Sequence, residues 1–188
     1  MKVLANSLRP GTVIEYNGKL CVVTGYDIMQ PGKGAAVIQI EMRDLRSGNK
    51  DNQRFRTQET VERVRLDQFE YQYLFADEAG RHFMNVETYE QIVVSDEIIG
   101  EPAVFLSDGM VVTVETYEGE PLGIQLPSTV TLEITEAEPV IKGQTATTSY
   151  KPAILENGVK VMVPPHIERG TRVVVKTEDS SYVERAKD

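Results

Sequence analysis

A lysine in a glycine-rich stretch is the side chain of this sequence best suited to chemistry at an exposed site. Residues 29–36, MQPGKGAA, lie between two long β-prone runs. Pro31 fixes its own φ angle, and Gly32 and Gly34 permit φ angles closed to other residues, so we predict a sharp turn on both sides of Lys33. Lysine is cationic at pH 7, and its four-carbon stem can place a compact charge among phosphates. We therefore predict that Lys33 is the functional group, at the tip of a hairpin.

Other reactive side chains are few and badly spaced for catalysis. The two histidines, His82 and His166, are far apart in sequence, and no zinc spacing, serine elbow, Walker loop or dinucleotide fingerprint is present. The single cysteine, Cys21, sits in the apolar run LCVV and is expected to be a buried strand residue. An amine nucleophile at Lys33 would need burial or a neighbouring cation, and a glycine-flanked tip offers neither. We predict no enzyme activity, no metal and no bound cofactor.

The elements that must position Lys33 are β-strands. Period-two alternation and β-branched residues dominate, which predicts an all-β fold. TVIEY, the turn pair Asn17 and Gly18, and KLCVVTGYDI are typical of a type I′ hairpin. A second long strand is predicted over residues 36–45, and the runs QRFRT and TVERVRL complete a small barrel of about 65 residues.

Two further strand groups follow along the chain. The second begins with YQYLFA and HFMNV, is predicted to form helical turns around residues 87–91 and 103–106, and ends with GMVVTVETY and VTLEITEA. The third contains AIL, the turn pair Asn157 and Gly158, VKVMV, TRVVVK and YVERA. We predict three small β-barrel domains, over residues 1–65, 66–128 and 129–188.

The charges are distributed unevenly along the chain. The net charge is −9, but residues 1–65 hold 11 Lys and Arg against 7 acids, residues 66–138 hold 1 against 16, and residues 139–188 hold 8 against 6. Phosphate contacts require cations, so the two ends suit RNA and the middle would be repelled by it. The apolar runs are too short to span a membrane and no secretory signal is evident, which predicts a cytoplasmic protein.

Three stretches of the sequence resemble the bacterial elongation factor P family, relatives of the hypusine-bearing translation factor of eukaryotes and archaea. They are PGKG at residues 31–34, HFMNVETYEQI at residues 82–92, and KPAILENGVKVMVPPHIERG at residues 151–170. The resemblance extends over essentially all 188 residues. It implies an SH3-like, KOW-type amino-terminal barrel followed by two OB-fold barrels, in an L-shaped arrangement that resembles a transfer RNA.

The resemblance also implies a function in translation. Members of the family bind the 70S ribosome between the peptidyl and exit sites when synthesis stalls on consecutive prolines. Lys33 would approach the acceptor end of the peptidyl-tRNA and help to hold it in a reactive geometry, while the ribosome supplies the chemistry. In the family this lysine often carries an added group, while other members use an unmodified lysine or have arginine there. The resemblance is therefore compatible with covalent modification of Lys33 by a dedicated enzyme and with an unmodified Lys33. We expect a monomer whose partners are the ribosome, peptidyl-tRNA and ribosomal RNA.

Further contacts with RNA are expected at both basic ends. In the first domain the candidate phosphate contacts are Arg43, Arg46, Arg54 and Arg56, which could equally be solvated strand residues. In the third domain the resemblance implies contacts near the exit-site codon and with ribosomal RNA. These candidates are Gly143, Thr145, Ala146, Tyr182 and Arg185, with Gln144 at a position where the family commonly has aspartate.

Two other functions are compatible with barrels of this kind. A general RNA-binding module should have aromatic stacking platforms and a continuous basic face. Aromatic residues make up 7% of this sequence and its basic residues are split between the two ends, which favours a ribosome-shaped partner. An enzyme that uses Lys33 as a nucleophile would require a substrate pocket beside the loop.

Overall fold

The computed structural model describes residues 1–140 and 149–187, and its regular structure is almost entirely strand. The sixteen strands of this described part form three antiparallel sheets, which confirms the predicted all-β class. Within the described residues, no helix is both long enough and apolar enough to cross a bilayer. By contacts between Cα atoms the chain forms two compact units, residues 1–69 with 114–123 and residues 70–113 with 124–188.

The first sheet carries the lysine loop. Its strands are β1 (Lys2–Leu4), β2 (Val13–Tyr16), β3 (Lys19–Met29), β4 (Val37–Asp44), β5 (Lys50–Arg56) and β6 (Thr60–Val64), in the spatial order β1-β6-β2-β3-β4-β5. The predicted turn between β2 and β3 has Asn17 at φ 50° and Gly18 at φ 76°, as a type I′ hairpin requires. A seven-residue loop joins β3 to β4 and a shorter connection joins β4 to β5, so strands β2 to β5 form successive hairpins.

Alternation along β4 shows why this sheet has one buried face. Ile38, Ile40 and Met42 have no exposed surface, while the residues between them point to the other face. The core that they join contains Ala5, Leu8, Ile14, Cys21, Val23, Phe55 and Val61. Burial of these apolar side chains is the main force that closes the sheet around its core.

The second sheet has the order β11-β10-β7-β8-β9. Its strands are β7 (Asp67–Asp77), β8 (Gly80–Asn85), β9 (Gln91–Val94), β10 (Val111–Tyr117) and β11 (Glu120–Gln125). The short helix α1 (Asp96–Ile99) and a 3-10 helix over Glu101–Phe105 follow β9, so the helical turn expected around residues 103–106 is present.

The helical turn predicted around residues 87–91 is a single turn over residues 85–89, where the Tyr89 N–H donates to the Asn85 carbonyl at 2.9 Å. The backbone N–H groups of Glu87 and Thr88 donate to the Asn85 side-chain oxygen at 2.8 and 3.0 Å, and β9 already begins at Gln91. The Asn85 side chain thus caps the first N–H groups of this turn, as Asn does at the N-terminus of a helix, and the turn ends before β9. Strand β11, which no sequence run had indicated, is the other difference in this region.

The third sheet has the order β14-β13-β12-β15-β16. It contains the run VTLEITEA, which the sequence analysis placed in the second group. Its strands are β12 (Thr129–Ala137), β13 (Lys151–Leu155), β14 (Lys160–Val163), β15 (Arg172–Lys176) and β16 (Tyr182–Arg185). Its core includes Ile134, Leu155, Val163, Val173 and Val175, together with Phe105 from the 3-10 helix. The Asn157 side-chain amide also donates to the Val104 carbonyl at 3.0 Å, so the 3-10 helix is bonded to this sheet as well as packed on it.

Candidate nucleic-acid interface

The lysine loop closes the β3–β4 hairpin. Met29 pairs with Val37 at the last rung of this ladder, which leaves residues 30–36 as a seven-residue loop with Lys33 at its midpoint. All residues from Gln30 to Ala35 are exposed, and the Ala36 carbonyl accepts a hydrogen bond from the Thr57 N–H at 3.2 Å. The loop is therefore anchored at its base and open to solvent around Lys33.

Neither glycine beside Lys33 uses the conformational freedom that the sequence suggested. Gly32 and Gly34 both lie outside the left-handed φ region, which corrects the expectation that they provide angles closed to other residues. A Cβ atom at Gly32 would meet nothing within 4 Å, and one at Gly34 would lie 3.8 Å from Pro31 Cγ. What the two glycines provide is empty space on both sides of the lysine, so that another molecule can approach the backbone closely.

The hairpin that carries the loop is stiffened along its length. The pairing of β3 with β4 continues from Met29–Val37 down to Cys21–Asp44, with one bulge between Val23 and Gly25. Beyond the bulge, the guanidinium carbon of Arg9 lies 4.4 Å from the centroid of the Tyr26 ring. A cation over an aromatic face at this distance is attractive by about 0.5–1 kcal/mol at an exposed site.

Three of the four predicted phosphate contacts share one face of this sheet. Arg54 lies opposite Gln39 and Arg56 opposite Val37, on the face away from the core, and both are exposed. Arg43 is exposed on the same face of β4, roughly 20 Å from Arg56 at about 3.3 Å per residue. The register thus produces a line of cations, interrupted by Glu41 on β4, that begins close to the base of the lysine loop.

One cation of this line escaped the sequence analysis. Lys50 is exposed and lies directly opposite Arg43. The period-two spacing of Lys50, Arg54 and Arg56 along β5 places all three on one face, and that spacing was the signal that could have identified Lys50.

The fourth arginine is already engaged. The Arg46 guanidinium donates to both Glu120 carboxylate oxygens, at 3.1 and 3.4 Å. This hydrogen bond raises the pKa of Arg46 above its ordinary value. A phosphate would have to compete with a carboxylate for Arg46, whereas no ion pair is found for Arg43, Arg54 or Arg56 with any residue in the described ranges.

The candidates in the third domain are only partly within the described residues. Gly143, Thr145, Ala146 and Gln144 lie outside them. Tyr182 packs against the core of the third sheet, and its ring meets Tyr150 edge-on at 6.3 Å between centroids. Burial raises the pKa of the Tyr182 hydroxyl, and the nearby Tyr150 contributes a smaller shift in the same direction.

Arg185 is exposed near the end of β16. It pairs with Val173, whose side chain is fully buried, so Arg185 extends from the edge of the core-facing side of the sheet. Tyr182 has a packing role already, and Arg185 is the freer of the two to contact a ligand.

The surroundings of the cysteine and of His82 are defined by the described residues. Over residues 1–140 and 149–187, no group of three or more His, Cys, Asp or Glu side chains is placed to hold a metal ion. Burial raises the pKa of the Cys21 thiol, which is 4% exposed, and so disfavours the reactive thiolate. His82 Nε2 lies 2.8 Å from the Asp77 carboxylate. His166 is far from His82 in sequence and lies outside the strands.

Comparison with known proteins accounts for almost the whole chain. Residues 4–61 match a model for the elongation factor P KOW-like domain, residues 66–124 one for the elongation factor P OB domain, and residues 130–185 one for the elongation factor P C-terminal region. Elongation factor P of Rhodospirillum centenum is 57% identical over 188 residues, with both chains covered completely. The chain belongs to the elongation factor P family. The protein of the same name from Acidiphilium cryptum is also 57% identical, over 187 residues.

A solved structure supports the fold. A protein described as eukaryotic translation initiation factor 5A from Methanococcus jannaschii superposes with a TM-score of 0.54 at 22% identity, over 68% of this chain and 92% of its own. This likeness and the matches to the KOW-like and OB domains together confirm the predicted fold class. The boundaries at 65 and 128 remain a prediction.

Proposed function

We propose that this chain is a translation elongation factor that binds the ribosome between the peptidyl and exit sites and stimulates peptide bond formation when synthesis stalls on consecutive prolines. The observation that carries the proposal is Lys33, exposed at the midpoint of an anchored hairpin loop in a chain of the elongation factor P family. Its partners would be the 70S ribosome, ribosomal RNA and peptidyl-tRNA.

In this proposal Lys33 acts by orientation. Holding the peptidyl-tRNA in a reactive geometry lowers the entropic part of the barrier to peptide transfer. A cation at the end of a flexible stem can contact the phosphates of the acceptor end without taking part in bond breaking. The factor itself then needs neither a cofactor nor a catalytic residue.

The arginines would hold the first sheet against RNA. Arg43, Arg54 and Arg56 are exposed on one face, and phosphate contacts of this kind fix position rather than sequence. Arg46, Arg185, Tyr182 and the loop residues Gly143, Thr145 and Ala146 complete the proposed contact set. The acids of the middle region would be kept away from phosphate.

Covalent extension of Lys33 fits the space around it. The glycines on both sides leave the ammonium accessible to a modifying enzyme, and an added group would lengthen the reach of the cation. We propose Lys33 as the modification site, to be tested by intact-mass measurement of protein purified from its native host.

The experiment is a reconstituted translation system with a message that encodes consecutive prolines. Peptide output is compared for no factor, the wild-type chain, Lys33→Ala and Lys160→Ala, an exposed lysine on β14 that serves as the control. We expect relief of the stall by the wild type and by Lys160→Ala, and none by Lys33→Ala. If wild-type protein from the native host has no effect, the proposed function is wrong.

A further inference from the structure

An arginine and a tyrosine are stacked beside the hairpin that carries the lysine loop. The guanidinium carbon of Arg9 lies 4.4 Å from the centroid of the Tyr26 ring. Tyr26 pairs with Ile40 across the β3–β4 ladder, and side chains at paired positions point to the same face of a sheet. Ile40 has no exposed surface, whereas Tyr26 is 43% exposed. We name Arg9 and Tyr26 the stacked pair, which stands at the margin of the first core.

The exposed margin continues from the stacked pair towards Lys33. Ile28 pairs with the fully buried Ile38 and is itself 46% exposed. Tyr26 comes three residues before Met29, where the ladder ends, which is about 10 Å at about 3.3 Å per residue. A molecule that contacts the lysine loop can therefore extend onto the stacked pair.

Arg9 is fixed in place, but its charge is not compensated. Its Nη1 group donates hydrogen bonds to the backbone carbonyls of Asn6 and Leu8, at 3.0 and 2.7 Å. Carbonyl oxygens carry no net charge, and no ion pair joins Arg9 to any acid of residues 1–140 and 149–187. Arg9 is also exposed. The stacked pair therefore presents a positioned cation, and a partner that binds it loses little side-chain entropy.

The charges around the hairpin identify the chemistry of that partner. Asp27, which follows Tyr26, points to the other face of the sheet, where it pairs with Gln39. That face also carries Arg54 and Arg56, and Lys33 stands at the tip, so cations flank the hairpin on both faces and at its end. RNA suits such a surface, because its phosphates are attracted by the cations and its bases can stack on an arginine plane or an aromatic ring. An acidic protein segment would satisfy the charge without using the ring.

We propose that the stacked pair binds an unpaired RNA base; peptidyl-tRNA or ribosomal RNA supplies this base if the proposed function holds. The base packs on the accessible side of the Arg9 guanidinium, and the Tyr26 ring supports the guanidinium from beneath. A phosphate of the same strand is attracted by the charge of Arg9. The base must be unpaired, because the flat surface of a base within a duplex is covered by its neighbours. The stacked pair is then an RNA contact separate from Lys33 and from the exposed arginines of β4 and β5.

Photo-crosslinking of the full chain on stalled ribosomes tests the site directly. Azidophenylalanine replaces Tyr26 in one protein and Gln30, in the lysine loop, in another. We expect the probe at position 26 to link to an unpaired nucleotide, and sequencing of the linked RNA distinguishes transfer RNA from ribosomal RNA. A link to protein only, a link to a nucleotide within a duplex, or no link while the probe at position 30 reacts, would overturn the stacking site and leave the proposed function standing. If neither probe reacts, both proposals fail.

Arg9→Lys separates the effect of stacking from the effect of charge. Lysine keeps the positive charge but lacks the planar guanidinium, so binding to purified ribosomes that carry peptidyl-tRNA should weaken roughly tenfold, as expected for the loss of one base stack. The salt dependence of binding should stay the same, since the number of cations is unchanged. Arg63→Lys, at an exposed arginine of β6, is the matched control and should bind like the wild type. An Arg9→Lys protein that binds as tightly as the wild type would refute the proposal.

Two substitutions of Tyr26 control for an effect on folding. Tyr26→Phe keeps the ring and should bind normally, whereas Tyr26→Leu keeps an apolar side chain at the core margin but removes the ring, and should bind about threefold to fivefold more weakly. Both variants and Arg9→Lys retain Lys33, so each should relieve proline stalling fully once the factor is in excess, unlike Lys33→Ala. Equal binding by Tyr26→Phe and Tyr26→Leu would show that the ring is not used and would contradict the stacking site.

Discussion

Replacing the two glycines beside Lys33 distinguishes their effect on the stability of the fold from their effect on the binding of a partner. Gly32 and Gly34 adopt φ angles that alanine can also adopt, and an added Cβ meets nothing at the first and only an ordinary 3.8 Å contact at the second. Alanine at a compatible site stabilises a protein by about 0.4–1 kcal/mol, because the unfolded chain loses freedom. We therefore expect Gly32→Ala and Gly34→Ala each to raise the free energy of unfolding by that amount or leave it unchanged.

A glycine in the neighbouring hairpin gives the control. Gly18 has a φ angle of 76°, in the left-handed region, where a side chain costs about 1–2 kcal/mol. Gly18→Ala should therefore lower the free energy of unfolding by about that amount. Urea unfolding followed by circular dichroism measures all three variants against the wild type.

The same variants should behave in the opposite order in translation. If the proposed function holds, two methyl groups beside Lys33 would occupy space that RNA needs to approach the backbone, so Gly32→Ala combined with Gly34→Ala should relieve proline stalling poorly although it folds well. Gly18→Ala, which lies at the far end of β3, should retain activity at a temperature where it is folded. A double variant that loses stability would refute the structural account of the glycines, and one that keeps full activity would refute the close approach.

Three further outcomes follow from contacts outside the loop. Phe105→Ala should lower the free energy of unfolding by about 3–5 kcal/mol, because it empties a position in the core of the third sheet, and a loss below about 1 kcal/mol in urea unfolding would contradict that packing. Asn85→Ala should cost about 1–2 kcal/mol through the two backbone N–H groups that lose their acceptor, whereas Asn85→Asp, which keeps an acceptor, should cost less. The hydrogen bond from His82 lowers the pKa of Asp77, so its stabilising effect is present above the unfolded-state pKa of about 4 and is lost as pH falls through the lower folded pKa. The difference in thermal stability between the wild type and Asp77→Asn should therefore disappear in acid, and a difference that grows below pH about 4 would contradict the sign.

Much of the lysine site could be inferred from short stretches of sequence. The turn at Asn17 and Gly18, the two long strands and the exposure of Lys33 depend on φ preferences and on period-two alternation within about ten residues. The outward direction of Arg54 and Arg56 follows from the same alternation. The role given to Gly32 and Gly34 was wrong in its reason, because glycine permits left-handed angles without requiring them.

Other features depended on partners far apart in sequence. Lys33 stands at the midpoint of its loop because the β3–β4 ladder pairs Met29 with Val37, a register that includes a bulge no local pattern indicated. Arg46 is tied to Glu120, 74 residues away, and was indistinguishable in the sequence from its unpaired neighbours.

The sequence by itself determined the strand content, the reactive side chain and the uneven charge, since each depends on residue type and on neighbours a few positions away. The tertiary structure decided which residues share a face. Phe75, His82 and Val93 are neighbours because the register of three strands, with a bulge between Tyr73 and Phe75, pairs them. Phe105 is buried because it packs against the third sheet, whose strands are distant from it in sequence. Register and packing are set by the free energy of burying whole faces, which is a sum over many distant residues and cannot be read from any one segment.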